Sequence, residues 1–592
     1  MVAFDVSNLK LLCQKKITEC IRAVGSGEKH LVIQTTLMRP LDRMCGAGFL
    51  KSCGISKIYK LEDYCATVDF VEENLHVLFL VRPETAILKE FKQFVEIVDA
   101  RKRVVGLHLL IVPKMTESFR NLIEMEGLFD IVSCTELPLE FLPLDVDLVS
   151  LEMPSLYKEF LLDKDYSGVS LLSSALWTVQ GFFGVPHTVY AMGSLSKLLS
   201  DLMEAQLTQD KLAHDDGDSD TDIVLLMDRG EDLISPLLSP LTFQGALDDH
   251  FGINCCYMEF TPPAVEPSKE KGDGVTTSAA PTILTLGPEI EVFAQAKDLH
   301  FAQVSEFVRA KLQELDEIKE SKSGLKGISD LKNFVANDLR KFQNESNILK
   351  NLLSAVDMVI AAGKHTRVKQ LQLEQSVIAS CSYDRSDLGH LESIFCQQVP
   401  IETAIRNISL FSVVAGGLSS NDLKLIKTRF LHSYGYEHLI TFNHLEQTGL
   451  IVCNSDPFSK KLPTFATWAK KLACLANANT VNEGPKFDNP YYATNGAFCP
   501  LIYKVLEFIC TNRFEELTRL YGGSFNVRKT PSQAHRSEKK VKSIIVCLVG
   551  GLTYLECAIM RLFAVKFNVN ILITTSGMIN SKRFLSPMIE KI

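Results

Sequence analysis

Short, uninterrupted apolar runs mark the first 150 residues, and polar, helix-like stretches separate them. The runs His30–Thr36, Leu75–Val81 and Leu107–Pro113 suit strands that are buried on both faces of a parallel sheet. Their alternation with helical stretches predicts a doubly wound α/β layer. Two weaker strands and one intervening helix are predicted at Ser56–Leu61, Asp130–Cys134 and Ala86–Val98.

A second α/β region begins near Leu151, and its clearest strand is the apolar run Ile223–Asp228. The pattern then becomes helical over Glu289–Leu450. Apolar residues recur there every three or four positions along Phe301–Ile318, which makes one apolar stripe on a long helix. Such a stripe either packs within its own bundle or forms a groove for a foreign helix, and both interpretations stay open. Further helices are predicted at Asp330–Leu353, Ile401–Phe411 and Asn421–Ser433, the last closed by Gly435.

The α/β pattern returns at the end of the chain. Strands are predicted at Lys542–Val549 and Asn570–Thr575, with the helix Leu552–Phe563 between them and a basic, polar loop at Arg528–Lys542 before them. These strands need parallel neighbours, and the simplest source is the sheet that begins around Ile223. The sequence therefore predicts an α/β protein in which a large α-helical insertion separates two halves of one sheet.

Charge and composition narrow the classes of function. The net charge is -9, so no surplus of positive charge is available for nucleic acid. Apolar runs stay far below the roughly 20 residues that span a bilayer, and the N-terminus lacks a secretory signal, so we expect a cytoplasmic protein that meets membranes only peripherally. The 16 cysteines form no CxxC pair, which favours reduced thiols over a zinc or redox motif.

Glycine and histidine patterns offer little catalytic chemistry. The segment Gly25–His30 has the wrong spacing for a phosphate loop and is interpreted as a turn. Gly550 and Gly551 follow a strand and open a helix, which suits either a tight turn or an anion-binding helix start. His438 and His444 lie six positions apart, which is not the spacing of two metal ligands on one helix.

The acidic run at the end of strand Ile223–Asp228 is the best candidate for an active site. Asp228 and Asp232 could form a metal or acid/base pair. Alternatively, Arg229 bridges carboxylates in a structural network, and this interpretation is favoured because no base or nucleophile lies nearby in the sequence. We therefore expect no enzyme and no cofactor, with an α/β nucleotide hydrolase as the less favoured alternative.

Two segments resemble the signature of the Sec/Munc (SM) family. Leu225–Gly252 matches its DR-x-x-D-x-x-x-P-L run and the following aromatic and acidic residues, and Gly550–Arg561 matches its G-G-x-T-x-x-E-x-x-x-x-R. Ser433–Leu450 and Tyr491–Leu506 narrow the resemblance to the vacuolar protein sorting 33 branch. Three further segments are more similar to the B form of that branch: Leu37–Met44, Phe141–Pro154 and Thr574–Arg583. The matched motif residues are Asp228, Arg229, Asp232, Gly550, Gly551, Glu556 and Arg561.

The resemblance implies a three-domain arch of two doubly wound parallel-sheet domains and one helical domain. The implied boundaries are 1–150 for the first α/β domain and 151–254 with 485–592 for the split second one. The helical domain then comprises a half that faces SNARE helices, 255–370, and a half that docks a partner, 371–484.

The resemblance also implies function and partners. It indicates a regulator of SNARE-mediated vesicle docking and fusion that binds syntaxin-like SNAREs. It further implies a vacuolar protein sorting 16-like companion, other tethering-complex subunits and a place on late endosome and lysosome membranes. Partner docking would involve Lys427, Tyr436 and Leu439, and the SNARE-facing candidates are Phe301, Val304, Val308 and Leu312. A scaffold subunit that lacks SNARE binding remains an alternative.

Overall fold

The chain forms two compact units. The small unit comprises Ala3–Glu152 and Ser167–Phe182, and the large unit comprises Met1–Val2, Met153–Tyr166 and Phe183–Ile592. The computed structural model describes residues 4–67, 75–100, 106–209, 221–262, 281–323, 339–363, 366–454, 465–476, 489–494, 496–523, 525–529 and 541–590.

The small unit contains a five-stranded parallel sheet in the order β2-β1-β3-β4-β5. Leu75–Val81 is confirmed as a strand residue for residue, because this apolar run is buried on both faces. The other predicted strands of this unit are confirmed with ends shifted by up to three residues. The strands are β1 Glu28–Ile33, β2 Lys57–Lys60, β3 Leu75–Val81, β4 Gly106–Ile111 and β5 Val132–Glu136, followed by the antiparallel pair β6 Leu142–Pro143 and β7 Leu148–Ser150.

Helices cover this sheet. The helix predicted at Ala86–Val98 is confirmed as α5, with slightly longer bounds. Its residues Phe91 and Phe94 pack on Phe79 of β3, with ring centroids 4.9 and 5.1 Å apart. The helices are α1 Ser7–Ala23, α2 Thr35–Met44, α3 Ala47–Ser52, α4 Leu61–Thr67, α5 Thr85–Ala100, α6 Glu117–Met125 and α8 Ser167–Phe183; the short α7 Leu156–Lys158 belongs to the large unit.

The sheet of the large unit joins the middle of the chain to its end. Strand β9 pairs in parallel with β14 from Ile223–Ile544 to Asp228–Val549, which confirms the predicted joining of the two halves. The strands, in the order β13-β8-β9-β14-β15, are β8 Thr188–Met192, β9 Ile223–Asp228, β13 Phe525–Lys529, β14 Ser543–Val549 and β15 Asn570–Thr575. A separate antiparallel sheet contains β10 Ile253–Asn254, β11 Tyr257–Phe260 and β12 Thr282–Thr285.

The loop predicted at Arg528–Lys542 is wrong at its start. Residues Phe525–Lys529 form an edge strand antiparallel to β8. Arg528 points from this strand to Asp201 and Glu204, so its charge serves an ion-pair network that the sequence pattern does not show. Residues 530–540 lie outside the described part of the chain.

The helical insertion follows the predicted pattern closely. Gly435 closes α17 with φ +116°, as expected, and its N–H donates to Leu431 O. The part of Asp330–Leu353 before Leu339 lies outside the described residues, and a helix follows from there to Gly363. Helices α9 Ser194–Gln209 and α10 Phe243–His250 precede the insertion, whose helices are α11 Glu291–Ala296, α12 Phe301–Ser323, α13 Leu339–Gly363, α14 Thr366–Ser380, α15 Arg385–Cys396, α16 Ile401–Ala415, α17 Ser420–Tyr434, α18 Leu439–Gln447 and α19 Phe465–Lys471.

The final helices return to the α/β part of the large unit. They are α20 Leu501–Cys510, α21 Phe514–Tyr521, α22 Tyr554–Phe567 and α23 Ser581–Leu585. Helix α22 lies between β14 and β15 in the chain, and it begins at Tyr554 because Thr553 is its N-cap. The predicted strand–helix–strand order of Lys542–Thr575 is thereby confirmed.

Candidate functional site

Arg229 lies at the centre of the first SM-like motif and is fully buried. Its guanidinium binds both carboxylate oxygens of Glu556 at 2.9 Å, which joins the two motifs across 327 positions of sequence. The Nε of Arg229 also donates to Asp232 O at 2.9 Å, and Nη1 donates to Gly551 O at 3.3 Å. This buried cation is thus held by the Glu556 carboxylate, by two carbonyl acceptors and by the Asp232 carboxylate 3.9 Å away.

Glu556 serves the start of α22 as well as Arg229. Its Oε2 accepts from the Thr553 N–H at 3.0 Å and from the Thr553 hydroxyl at 2.8 Å, while Glu556 N–H donates to Thr553 Oγ1 at 3.2 Å. This capping box satisfies the first turn of the helix. A carboxylate therefore already occupies the helix start that the sequence offered as an anion site.

Gly550 and Gly551 form a tight turn between β14 and α22. Their φ angles are +98° and +116°, which side chains rarely allow. A Cβ on Gly551 would lie 2.7 Å from Ile579 Cγ2, and one on Gly550 would lie 3.0 Å from Arg229 Cβ. Glycine is required here because the turn packs directly against neighbouring side chains.

Asp228 and Asp232 are both committed to backbone positioning. Asp228 accepts from Leu195 N at 2.8 Å, Ser196 N at 2.6 Å and Ser196 Oγ at 2.5 Å, so it holds the start of α9. Burial raises the pKa of Asp228 to about 7, although these three donors favour its charged form. Asp232 Oδ1 accepts from Ile234 N at 3.1 Å and Ser235 N at 3.0 Å, which shapes the following turn.

A second buried network ties the helical insertion to the same motif. Arg406 of α16 donates to Leu237 O at 2.7 Å, to Ser239 Oγ at 2.8 Å and to Glu374 Oε1 of α14 at 3.0 Å. Glu374 in turn accepts from Ser239 N at 2.9 Å. Sequence reasoning missed both residues, although a single Arg within the apolar helix Ile401–Ala415 was the available signal.

The remaining motif residues make similar long-range links. Arg583 of α23 donates to Asp248 Oδ1 at 2.5 Å. Burial raises the pKa of Asp248. Arg561 donates to Asp298 Oδ1 at 3.0 Å. The two SM-like motifs therefore build one buried polar framework in the large unit.

An exposed apolar surface lies instead where α17 meets α18, and we call it the α17–α18 surface. At the turn, Tyr436, Leu439 and Ile440 are exposed by 68%, 51% and 49%, and Leu425, further back on α17, is 41% exposed. The glycine that ends α17 turns the chain sharply, so Tyr436 stands at the start of the next helical turn. Large apolar groups that cluster on a surface mark an interaction site.

Lys427 lies beside this surface but is partly engaged. Its Nζ is 3.7 Å from Glu446 Oε1 of α18 and 5.4 Å from the centroid of the Phe442 ring. The ammonium group of Lys427 therefore links α17 to α18. The part of the Lys427 side chain that stays exposed lies at the edge of the α17–α18 surface. Sequence reasoning named Lys427, Tyr436 and Leu439 but did not include Leu425 and Ile440.

The SNARE-facing candidates of α12 divide into two groups. Val304 and Val308 are fully buried, because α12 packs against α13, and these two side chains cannot face a partner in this arrangement. Phe301 and Leu312 are half-buried, and the Arg367 guanidinium lies 5.5 Å from the Phe301 ring centroid. Ile318, two turns further along the helix, is 42% exposed.

The described ranges contain neither a metal-binding cluster nor a membrane-spanning helix. No three His, Cys, Asp or Glu side chains there come together as a metal site. No helix in the same ranges combines the length and apolarity that a membrane span requires.

Relatives among known proteins match nearly the whole chain. A family model described as the Sec1 family matches residues 29–587. Vacuolar protein sorting-associated protein 33B of Mus musculus is 26% identical over 99% of this chain and 97% of that protein. Vacuolar protein sorting-associated protein 33A of Rattus norvegicus is 24% identical over 96% of this chain and 95% of that protein. The resemblance to the vacuolar protein sorting 33 branch is confirmed.

Solved structures share the fold. The Unc18–syntaxin 1 complex from Monosiga brevicollis gives a TM-score of 0.63 at 17% identity, covering 98% of this chain and 99% of that chain. The SM protein Vps45 in complex with the Qa SNARE Tlg2 gives 0.63 at 16% identity, covering 98% and 97%. Identities this low establish the fold, and the predicted fold class of parallel-sheet α/β parts with a large helical part is confirmed.

Proposed function

Because this chain belongs to the Sec1 family, we propose that it regulates SNARE-mediated vesicle docking and fusion without catalysing a reaction. The proposal places it in a tethering complex with a vacuolar protein sorting 16-like companion, at late endosome and lysosome membranes. The single observation that carries the docking part is the exposed α17–α18 surface. Similarity to vacuolar protein sorting 33 proteins supports the endosomal assignment.

SNARE binding is supported by the similar solved structures and by the helical insertion. Two of those structures contain an SM protein bound to syntaxin 1 or to the Qa SNARE Tlg2. In this chain, α12 and α13 form a long helical pair that could align a SNARE helix. The candidate contacts for the SNARE helix are the half-buried Phe301 and Leu312 and the exposed Ile318. Val304 and Val308 are not available, because they are buried inside the helical pair. Alignment of partner helices lowers the entropic cost of zippering and needs no chemistry.

Companion docking is supported by the character of the α17–α18 surface. Tyr436 has a large, rigid ring, and such residues dominate the energetics of protein interfaces. Covering the exposed half of each of Tyr436, Leu439 and Ile440 would contribute about 1 to 2 kcal/mol per side chain. Lys427 at the edge adds a cation that an acidic partner residue can meet. This combination suits a stable partner subunit better than a transient contact.

The proposal of a non-catalytic role is supported by the geometry of the motif. Asp228 holds α9, Asp232 holds the following turn, and Glu556 occupies the start of α22. The nucleotide-hydrolase alternative requires Asp228 and the Gly550–Gly551 turn to be available to a phosphate. Each of them is engaged by protein groups instead, which disfavours that alternative.

Affinity measurements with two separate partners test the proposal. The full chain and its Tyr436→Asp and Val565→Asp variants are titrated calorimetrically with a purified vacuolar protein sorting 16-like companion. Val565 is the matched control, because it is 83% exposed and apolar but lies on α22. We expect Tyr436→Asp to raise Kd at least about tenfold and Val565→Asp to leave it unchanged. Equal affinities for all three proteins would refute docking at the α17–α18 surface.

A second titration tests the proposed SNARE binding. The complex with the companion is titrated with endosomal Qa-SNARE cytoplasmic domains, and the Ile318→Asp variant is measured beside it. Binding that weakens in the variant supports the role of α12. No binding of any SNARE by a complex that still holds its companion would refute the SNARE role and favour the scaffold alternative.

A further inference from the structure

We propose that the segment Ser586–Glu590, called the brace, positions α18 for partner docking. The inference rests on the proposed docking at the α17–α18 surface and deepens it. Met588 of the brace is 1% exposed, and the other four residues of the brace are half-buried. Its contribution is to hold the helix that carries Leu439 and Ile440.

The brace contacts α18 and its end through three polar side chains. Glu590 N–H donates to Thr441 Oγ1 at 3.0 Å, and the ring Nδ1 of His444 lies 3.1 Å from Met588 O. The hydroxyl of Thr448, which donates to His444 O at 2.9 Å, also lies 3.7 Å from Met588 Sδ. Positions 441, 444 and 448 follow one another at spacings of three and four, so they line one face of the helix.

Helix α18 has only nine residues. Helices shorter than about 12 residues are marginal without tertiary contacts, so the orientation of α18 depends on what packs behind it. The Tyr157 hydroxyl supports its C-terminal end by donating to Thr448 O at 3.1 Å. The brace supports the rest of the same face, and Thr441 is fully buried under it.

Leu439 lies on the face of α18 opposite the brace, and Ile440 lies one turn before His444 at the edge of that face. Leu439 is 51% and Ile440 is 49% exposed, whereas Phe442 and Leu445 are fully buried on the inner side. A partner that docks on Leu439 and Ile440 therefore contacts a helix whose orientation is fixed by the brace. Pre-organised surfaces bind more tightly because less freedom is lost on association. Loosening the brace would weaken docking without removing any contact residue.

The test detaches the brace while leaving the α17–α18 surface intact. The double variant Thr441→Val, His444→Leu removes two polar contacts with the brace and the 3.3 Å contact between Thr441 Oγ1 and His438 Nδ1, and it keeps the side-chain volume. The control is Thr574→Val in β15, which deletes another fully buried hydroxyl, one that donates to Val546 O at 3.1 Å. Amide hydrogen exchange over 439–447 is measured in the free full chain, and Kd for the purified companion is measured by calorimetry.

We expect the double variant to exchange its α18 amides at least about tenfold faster and to bind the companion about tenfold more weakly, since two contacts are lost. Thr574→Val should change neither quantity. Thr441→Val alone, which deletes a single hydroxyl, should give a smaller effect in the same direction and serves if the double variant does not fold.

Two results would refute the proposal that the brace positions α18. One is unchanged α18 exchange in the double variant, and the other is an equal loss of binding in Thr574→Val, which would indicate general destabilisation. If Tyr436→Asp also leaves the companion affinity unchanged, the docking proposal fails separately. The exchange measurement on the free chain then still decides whether the brace holds α18.

Discussion

The buried pair of Arg229 and Glu556 gives the sharpest prediction. Both side chains are fully buried, and their groups meet through two contacts of 2.9 Å. Glu556→Ala leaves the guanidinium with the Asp232 carboxylate, 3.9 Å away, as its remaining counter-charge and removes half of the capping box at Thr553. Arg229→Met leaves the carboxylate buried, and the double variant Arg229→Met, Glu556→Ala removes both charges.

The magnitudes follow from the desolvation of each remaining group. Removing one partner of a buried ion pair costs about 3 to 5 kcal/mol, because an uncompensated charge stays inside. Glu556→Ala loses about 1 kcal/mol more from the helix cap. The double variant leaves the carbonyls of Asp232 and Gly551 without their donor, at about 3 kcal/mol in total, and it loses the same helix cap. It should therefore be at least about 2 kcal/mol more stable than the sum of the single variants implies.

The two tryptophans allow the large unit to be observed alone. Trp177 lies in α8 and Trp468 in α19, so a Trp177→Phe background leaves Trp468 as the fluorophore of the large unit. Trp468 is 5% exposed and should report unfolding by a shift of its emission. Urea titrations of the four proteins in this background give the free energies for a double-mutant cycle.

Either of two outcomes would refute the reasoning. If Glu556→Ala costs less than about 1 kcal/mol, water or another group compensates Arg229, and the pair is not buried as described. If the single variants simply add up in the double variant, the two groups are not coupled.

Two further predictions use the same stability measurements. Gly551→Ala should destabilise by about 2 to 4 kcal/mol, since φ is +116° and Ile579 is too close, whereas Gly389→Ala in an open helical position should stabilise slightly. Burial lowers the pKa of His108, so the unfolded chain takes up its proton first and stability falls as pH drops below about 6.5. Melting curves from pH 7.5 to 5.5 should therefore show a smaller acid shift for His108→Gln; equal shifts would contradict this.

The sheets were predictable because burial on both faces leaves a continuous apolar run. Leu75–Val81, Ile223–Asp228 and Asn570–Thr575 coincide exactly with strands, since each run ends where the sheet ends. The joining of β9 to β14 followed from the need for parallel neighbours. The edge strand Phe525–Lys529 escaped prediction because a half-buried strand with two basic residues lacks such a run.

The site was less predictable, because apolar periodicity identifies a helix face without showing what covers it. Val304 and Val308 belong to the apolar stripe of α12, and only the packing of α13 shows that they are inaccessible. Arg406 and Glu374 meet through the fold, and no local pattern relates an α16 residue to an α14 residue. The exposure of Tyr436 follows from the turn at Gly435, which sequence reasoning located but could not orient.

The pairing of β9 with β14 has a consequence for synthesis on the ribosome. The framework residues beside these strands are 327 positions apart, so β9 leaves the ribosome long before its neighbour exists. At about 5 to 20 residues per second, that interval lasts about 15 to 65 seconds. During this time one apolar edge of β9 has no permanent partner, which makes the nascent chain a client for chaperones. A premature stop anywhere before Ser543 would leave that edge open permanently, whatever the quality of the helices already made.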